Sequence, residues 1–243
     1  MPNDLRFRRV LLKMSGEVLK GDTPFGIEPE AVVAAARRLR QITELGTELA
    51  LVIGAGNLFR GQSGSRQGMD RSCADQMGML ATVMNALAMR DALEAVGTPA
   101  EILSALPVPG VVQGFDCRLA NRLLAEGKVV LFAAGTGHPY FTTDTTAALR
   151  ACEIGADAVL KGTQVDGIYS ADPKRDPHAV RFPRITYREA LSRRLQVMDS
   201  TAFSLCMDND IPIVVFNFAQ DGVLAEVVKG NLDHATLVCS DPS

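Results

Sequence analysis

The sequence predicts an α/β fold: a mainly parallel β-sheet with helices on both faces. Two observations carry this. Short β-branched runs alternate with longer amphipathic stretches along the chain, the pattern left by right-handed β-α-β units. Glycine-rich polar segments follow directly on several apolar runs, and ligands of such sheets bind beyond the carboxyl ends of the strands. At 243 residues the chain can bury a sizeable core, and with no repeat, low-complexity tract or linker it is expected to form a single domain over 1–243.

The first strand is expected over 9–14, and an amphipathic helix over 28–45 opens on Pro29, whose fixed φ suits a first helical turn. A strand over 48–53 runs into GAGNLFRGQS, residues 54–63, which misses two nucleotide motifs narrowly. Its third glycine comes too late for a dinucleotide fingerprint, and Gln62 stands where a Walker-type loop has lysine. The stretch over 74–96 is helical and apolar almost all round, with Met77, Met79, Met84 and Met89 on more than one face. Such a helix is either central to the core or part of a subunit interface. A strand over 100–104, a helix over 116–126, a strand over 128–133, a helix over 144–154 and a strand over 157–161 follow. VDGIY, 165–169, carries an Asp-Gly turn expected at a hairpin tip, and 170–183, broken by prolines, is expected to be a binding loop or lid. The remainder gives helices over 187–195 and 199–208, a strand over 211–217, a helix over 221–229 and a strand over 235–239.

The net charge of -3 leaves no basic footprint, which argues against nucleic acid as the main partner. Five scattered cysteines without a C-x-x-C pair argue against a disulfide framework or a zinc site and fit a reducing cytosol, where they would serve as small buried hydrophobes. The apolar run before Ser15 is too short for a signal sequence, and no later run approaches the roughly 18 residues of a membrane span. The protein is therefore expected to be cytoplasmic and free of the membrane.

Four loops should gather at one edge of the sheet: KMSGE (13–17), GAGNLFRG (54–61), AGTGHPYFTTD (134–144) and KGTQVDGIY (161–169). Backbone N–H groups can approach an anion closely in glycine-rich loops of this kind. Lys13, near the end of an apolar strand and followed by Ser15-Gly16, reads as a phosphate ligand more readily than as a snorkelling edge residue. Arg60, between two glycines, is mounted for forked binding of phosphate oxygens. Thr142, Thr143 and Asp144 mark a helix start, serving as ordinary caps or as part of an anion site with Gly135, Thr136 and Gly137. His138 has only His178 and His234 as company, each in an unrelated loop, so neither a triad nor a zinc cluster can be assembled. Asp199 begins another helix, as a cap or as a carboxylate aimed at the site.

Taken in order, KMSGE, VIGAGNLFRG, ADQMGMLATVMNALAMRDAL, GTGHPYFTTDTTAALRA, QVDGIYSADP, VMDSTAF and IPIVVFN resemble the bacterial uridylate kinases of the amino acid kinase superfamily across essentially the whole chain. The resemblance implies a three-layer α/β/α sandwich, a cytosolic homohexamer, and the reaction of ATP with UMP to give ADP and UDP with Mg2+, for which no dedicated protein site is assigned. It implies that Lys13, Ser15 and Gly16 meet the ATP phosphates, with Ala55, Gly56 and Arg60 in a loop shared by donor and acceptor. Asp75 matches the carboxylate on the UMP ribose, and Thr136, Gly137, His138, Pro139, Tyr140, Phe141, Thr142 and Thr143 match the run around UMP. Thr163, Tyr169 and Asp172 match the adenosine side, while Asp144 and Asp199 match acidic positions near the transferring phosphoryl; Lys13, Arg60, Asp144 and Asp199 are thus the expected catalytic set. Ala55 stands where many relatives have glycine, which restricts φ but leaves its N–H available. Many Gram-negative relatives are activated by GTP through basic residues after the long helix. Arg90 is present here, with Glu94 and Glu101 where positive charge would suit a triphosphate, so the resemblance keeps GTP as a candidate allosteric activator with its ligand residues open. Two other readings share the fold: a kinase acting on a carboxylate, and a non-catalytic nucleotide or oxoanion binder.

Overall fold

The computed structural model describes residues 5–59, 68–173, 175–193, 195 and 198–240. Strands β1 (Arg9–Met14), β2 (Glu48–Ile53), β3 (Ala100–Ser104), β4 (Gln113–Gly114), β5 (Val129–Ala133), β6 (Ala158–Thr163), β9 (Arg184–Thr186), β10 (Ile213–Asn217) and β11 (Ala235–Cys239) form one nine-stranded sheet in the order β4-β3-β5-β2-β1-β6-β10-β11-β9. All neighbours are parallel except β10 and β11. The helices are α1 (Pro29–Glu44), α2 (Arg71–Ala95), α3 (Cys117–Ala125), α4 (Thr143–Ile154), α5 (Tyr187–Ser192), α6 (Ser200–Asp208) and α7 (Val223–Lys229), with a short 3-10 turn at Gly16–Leu19.

Strand alternation divides the core in two. Val10, Leu12 and Met14 of β1 pack with Val32, Leu39 and Ile42 of α1, Met89 and Leu93 of α2 and Val227 of α7. Leu11 faces the other way, into a second core with Leu123 of α3, Ala148 and Ala151 of α4 and Phe203 of α6. Lys13 shares the parity of Leu11, so it points to the face that α4 covers. β1 lies between β2 and β6, so the loops after these three strands flank the point where the chain switches from one side of β1 to the other.

Several elements depart from expectation in ways that follow from caps and edges. α2 begins three residues before residue 74 because Asp70 accepts the Cys73 N–H at 2.9 Å, a polar start that the apolar pattern does not mark. β6 runs two residues past Lys161, to Thr163. The Asp-Gly turn is not a hairpin tip: β7 (Ile168–Tyr169) pairs with β8 (Arg181–Phe182), and the proline-rich segment connects them. Gly167 is instead a close-approach position, where a Cβ would come within 2.4 Å of Thr236 Oγ1. The long helix buries Met79 and Met89 in the core, as its core reading expects, while Met77, Leu80 and Met84 are exposed. Of the cysteines, Cys206 is fully buried, its thiol pushed up to about 12 chiefly by desolvation, whereas Cys73 is exposed on α2 and does not fit the buried-hydrophobe expectation.

Candidate active site

The site grows from the parallel register of β1 and β6, which places Lys13 directly beside Lys161. Asp144, in the first turn of α4, lies between the two ammonium groups, with Oδ1 2.8 Å from Lys13 Nζ and Oδ2 2.8 Å from Lys161 Nζ. All three side chains are about 15% exposed or less. Burial works against the charge on Asp144, but Lys13 and Lys161 together outweigh it and hold the carboxyl below its ordinary range. Burial also depresses the Lys161 ammonium, with Asp144 opposing the shift and Lys13 adding to it.

α4 starts here because Thr142 caps it, accepting the N–H groups of Asp144 and Thr145 at 3.0 and 3.4 Å. The helix dipole then favours a carboxylate in the first turn. Asp199 caps α6 through the Ala202 N–H at 2.9 Å and accepts the hydroxyls of Thr142 and Thr145. It therefore ties two helix starts together beside the lysine pair, serving as a cap and facing the site at once.

Two clefts open on either side of this cluster. The larger, about 870 Å³, is lined by Lys13, Ser15, Lys161, Thr163, Asp172 and Phe218 among others. An adjoining recess shares Lys161, Thr163 and Asp172 and adds Tyr169, whose hydroxyl donates to Asp166 at 2.6 Å. The smaller cleft, about 160 Å³, is lined by Ala55, Asp75, His138, Phe141, Thr142 and Thr143, with Phe59, Met79 and Thr82. Asp75 accepts Arg71 Nε and the Tyr140 N–H, both at 2.8 Å, so it latches the 136–143 loop to α2. Tyr140 needs that support, having a positive φ of 72°. Its ring is exposed, with Arg71 5.3 Å from its centroid. Thr136 closes a local turn with His138, Pro139 is half-buried, and Gly137 sits with φ 83° against Ala105. Ala55 is not among the left-handed residues, and its carbonyl accepts the N–H groups of Leu58 and Phe59 at 2.9 Å, closing a tight turn around half-buried Gly56. Gly16 is buried against that loop. Arg60, with Gly61 and Gln62, lies outside the described residues.

Sequence reading missed Lys161 as a site residue, though a signal was present. Leu11-Leu12-Lys13 and Val159-Leu160-Lys161 place a lysine at the same point of two apolar runs, and adjacency of the two strands turns that likeness into a pair.

Two tight glycine-bearing loops, two lysines on one carboxylate and paired clefts are chemistry for transferring an anionic group. The model of the amino acid kinase family matches residues 8–217. The chain belongs to that family. As an amino acid kinase it is 54% identical over 230 residues to the uridylate kinase of Paramagnetospirillum magneticum (strain ATCC 700264 / AMB-1), covering 95% of this chain and 96% of that protein. Among solved structures it is similar to the UMP kinase of Bacillus anthracis, with a TM-score of 0.92 at 34% identity over 97% of both chains. It is also similar to the UMP kinase of Ureaplasma parvum, with a TM-score of 0.91 at 35% identity over 97% of this chain and 100% of that one. The three-layer arrangement around a mainly parallel sheet is the fold of this family.

Proposed function

We propose that this protein is a UMP kinase, transferring the γ-phosphoryl group of ATP to UMP to give UDP and ADP as a step in making pyrimidine nucleotides. The observation that carries this is the Lys13–Asp144–Lys161 cluster standing between a large and a small cleft. Similarity to uridylate kinases over nearly the whole chain supports it.

ATP occupies the larger cleft, with Lys13, Ser15, Gly16 and Gly56 toward its phosphates and Thr163, Tyr169 and Asp172 toward its nucleoside; Arg60 is assigned to the phosphates by its motif alone. UMP occupies the smaller cleft, between Ala55, Asp75 and the 136–143 run. The acceptor needs no general base, because a phosphate monoester with a second pKa near ~6 is already mostly a dianion at neutral pH. What limits transfer is repulsion between two anions that must meet in line. Lys13 and Lys161 neutralise the transferring group. Asp144 aims them, with Oδ1 in an ion pair with Lys13 and Oδ2 accepting from Lys161. With both carboxylate oxygens of Asp144 facing ammonium groups, the site suits Mg2+ carried on the nucleotide phosphates, whose charge it would help to neutralise.

We place the enzyme in the cytosol as a homohexamer. Among the described residues no helix is long and apolar enough to cross a membrane, and the five free cysteines suit a reducing compartment. Met77, Leu80 and Met84 present an exposed apolar strip along α2 suited to a subunit contact. For GTP the charges beyond α2 are unfavourable: Lys128 is paired with Glu101 at 3.2 Å, and Glu94 lines the same cleft.

The test is ADP release from ATP over UMP, CMP, dUMP, aspartate and acetylglutamate, with and without GTP. Turnover with UMP well above the others is expected, with less than about twofold stimulation by GTP. Preference for a carboxylate acceptor, or nucleotide binding without any ADP release, would overturn the assignment.

A further inference from the structure

Behind the two clefts lies a buried pair of amides that the chemistry above does not use. Asn57, in the loop after β2, and Asn85, on α2, are 1% and 0% exposed. Asn57 Nδ2 donates to Asn85 Oδ1 at 3.0 Å, and Asn85 Nδ2 donates back to Asn57 Oδ1 at 2.8 Å. The second hydrogen of each amide reaches a loop carbonyl: Asn57 Nδ2 donates to Gly26 O, and Asn85 Nδ2 to Gly54 O, both at 2.8 Å. The Gly26 N–H returns a bond to Asn57 O at 2.8 Å. Every amide hydrogen and both side-chain oxygens are thus engaged, the condition under which a buried polar network specifies one arrangement rather than costing stability.

The pair is also packed against the donor loop. A Cβ on Gly16 would lie 2.2 Å from Asn57 Oδ1 and 2.3 Å from Gly54 O. No side chain fits there, so the backbones after β1 and β2 meet in direct contact with the amides at their back. Three residues earlier on the same face of α2, Thr82 Oγ1 accepts the Ala134 N–H at 2.8 Å and so fixes the start of the loop after β5. Gly26 follows the segment whose Gly21 and Asp22 line the larger cleft, while Gly54 leads into Ala55 and Phe59 of the smaller one.

We infer that Asn57 and Asn85 are positioning residues that set the distance between the loop after β1, at Gly16, and the loop after β2, at Gly54, which donor and acceptor share. They line neither cleft and act through Gly16, Gly26 and Gly54. This rests on the phosphoryl-transfer reading above, because that reaction needs its reacting atoms within about 3–3.5 Å and in line, and a displacement near 1 Å can cost about 100-fold. A pair serving only to hold the fold would lower the folded fraction and leave the turnover of each folded molecule intact. A pair serving alignment lowers kcat while each substrate still binds its own cleft.

The experiment compares full-length wild type with Asn57→Ala, Asn85→Ala and the double variant. It measures kcat and KM for ATP and UMP per folded molecule, and the affinity for a non-hydrolysable ATP analogue with and without UMP. The expected result is a 10- to 100-fold fall in kcat with both KM values within about threefold of wild type. The double variant should lose little more than the worse single one, as partners in one unit do, and the influence of UMP on analogue affinity should disappear. If Asn85→Ala does not fold, Asn85→Ser is measured in its place; its hydroxyl is too short to reach Gly54 O, so a fall of the same size is expected. A kcat within twofold of wild type per folded molecule overturns the inference, as does a loss carried wholly by KM. Wild-type protein that releases no ADP with UMP defeats the proposed function instead, and the pair is then read with the acceptor that does support turnover.

Discussion

One carboxylate shared by two lysines decides most of the residue-scale chemistry. Removing either ammonium leaves Asp144 half-neutralised and strips a cation from the developing charge, so Lys13→Ala and Lys161→Ala should each lower kcat by about 100- to 1000-fold, with a smaller change in UMP affinity. Steady-state kinetics at saturating substrates measures this, and near-normal turnover in either would remove that lysine from the mechanism. Burial places the Lys161 ammonium below the ordinary 10.5, so kcat should fall on an alkaline limb below that pH. Lys161→Arg, which stays charged, should push the limb to higher pH; an unmoved limb would assign it to another group. The same shifts act oppositely on stability. The lowered Asp144 pKa contributes stability that is full above the ordinary 3.8 and disappears as the pH falls through the folded value. The lowered Lys161 pKa costs stability at neutral pH, and that cost shrinks as the pH climbs toward 10.5. Lys13 could be read from its place on an apolar run ahead of Ser15-Gly16, whereas the role of Lys161 needs the strand order, which a linear pattern does not contain.

At the scale of elements, periodicity located the strands and helices that bury a face, though not all of their ends: the strand expected from 211 starts at Ile213 and the helix expected to 195 ends at Ser192. β1, β2, β3 and β11 have the bounds that their apolar runs define. It failed where two or three residues pair at an edge, as in β4 and β7 to β9, because so short a stretch carries no period. Helix starts depend on caps rather than on apolar content, which is why α2 begins at Arg71 behind Asp70. Caps remote from the clefts give a clean measure of that contribution. Asp116 caps α3 through the Leu119 N–H at 2.7 Å, so Asp116→Ala should lower unfolding stability by about 1 kcal/mol and leave kcat unchanged. Denaturant titration beside an activity assay tests both, and a loss of kcat would mean that α3 communicates with the site.

For the whole molecule, we treat the chain as one domain because a single sheet runs from β4 to β9 and both clefts open at its carboxyl edge. The inner face of α2 joins the core while Met77, Leu80 and Met84 stay outside, the strip on which the proposed homohexamer would rest. Leu80→Glu, placing a charge in that strip, should then shift the protein toward smaller species in sedimentation; an unchanged assembly state would move the contact elsewhere. Alternating apolar runs, glycine loops and the family's ordered motifs are local properties, so the α/β class and the mainly parallel sheet were legible from the chain alone. Contacts between residues far apart were not. The pairing of Lys13 with Lys161, 148 positions away by the two residue numbers, the latch of Asp75 on Tyr140 and the Asn57–Asn85 amides depend on which strands and helices become neighbours. That choice is made by the burial of faces over the entire sheet, and no stretch of sequence encodes it by itself.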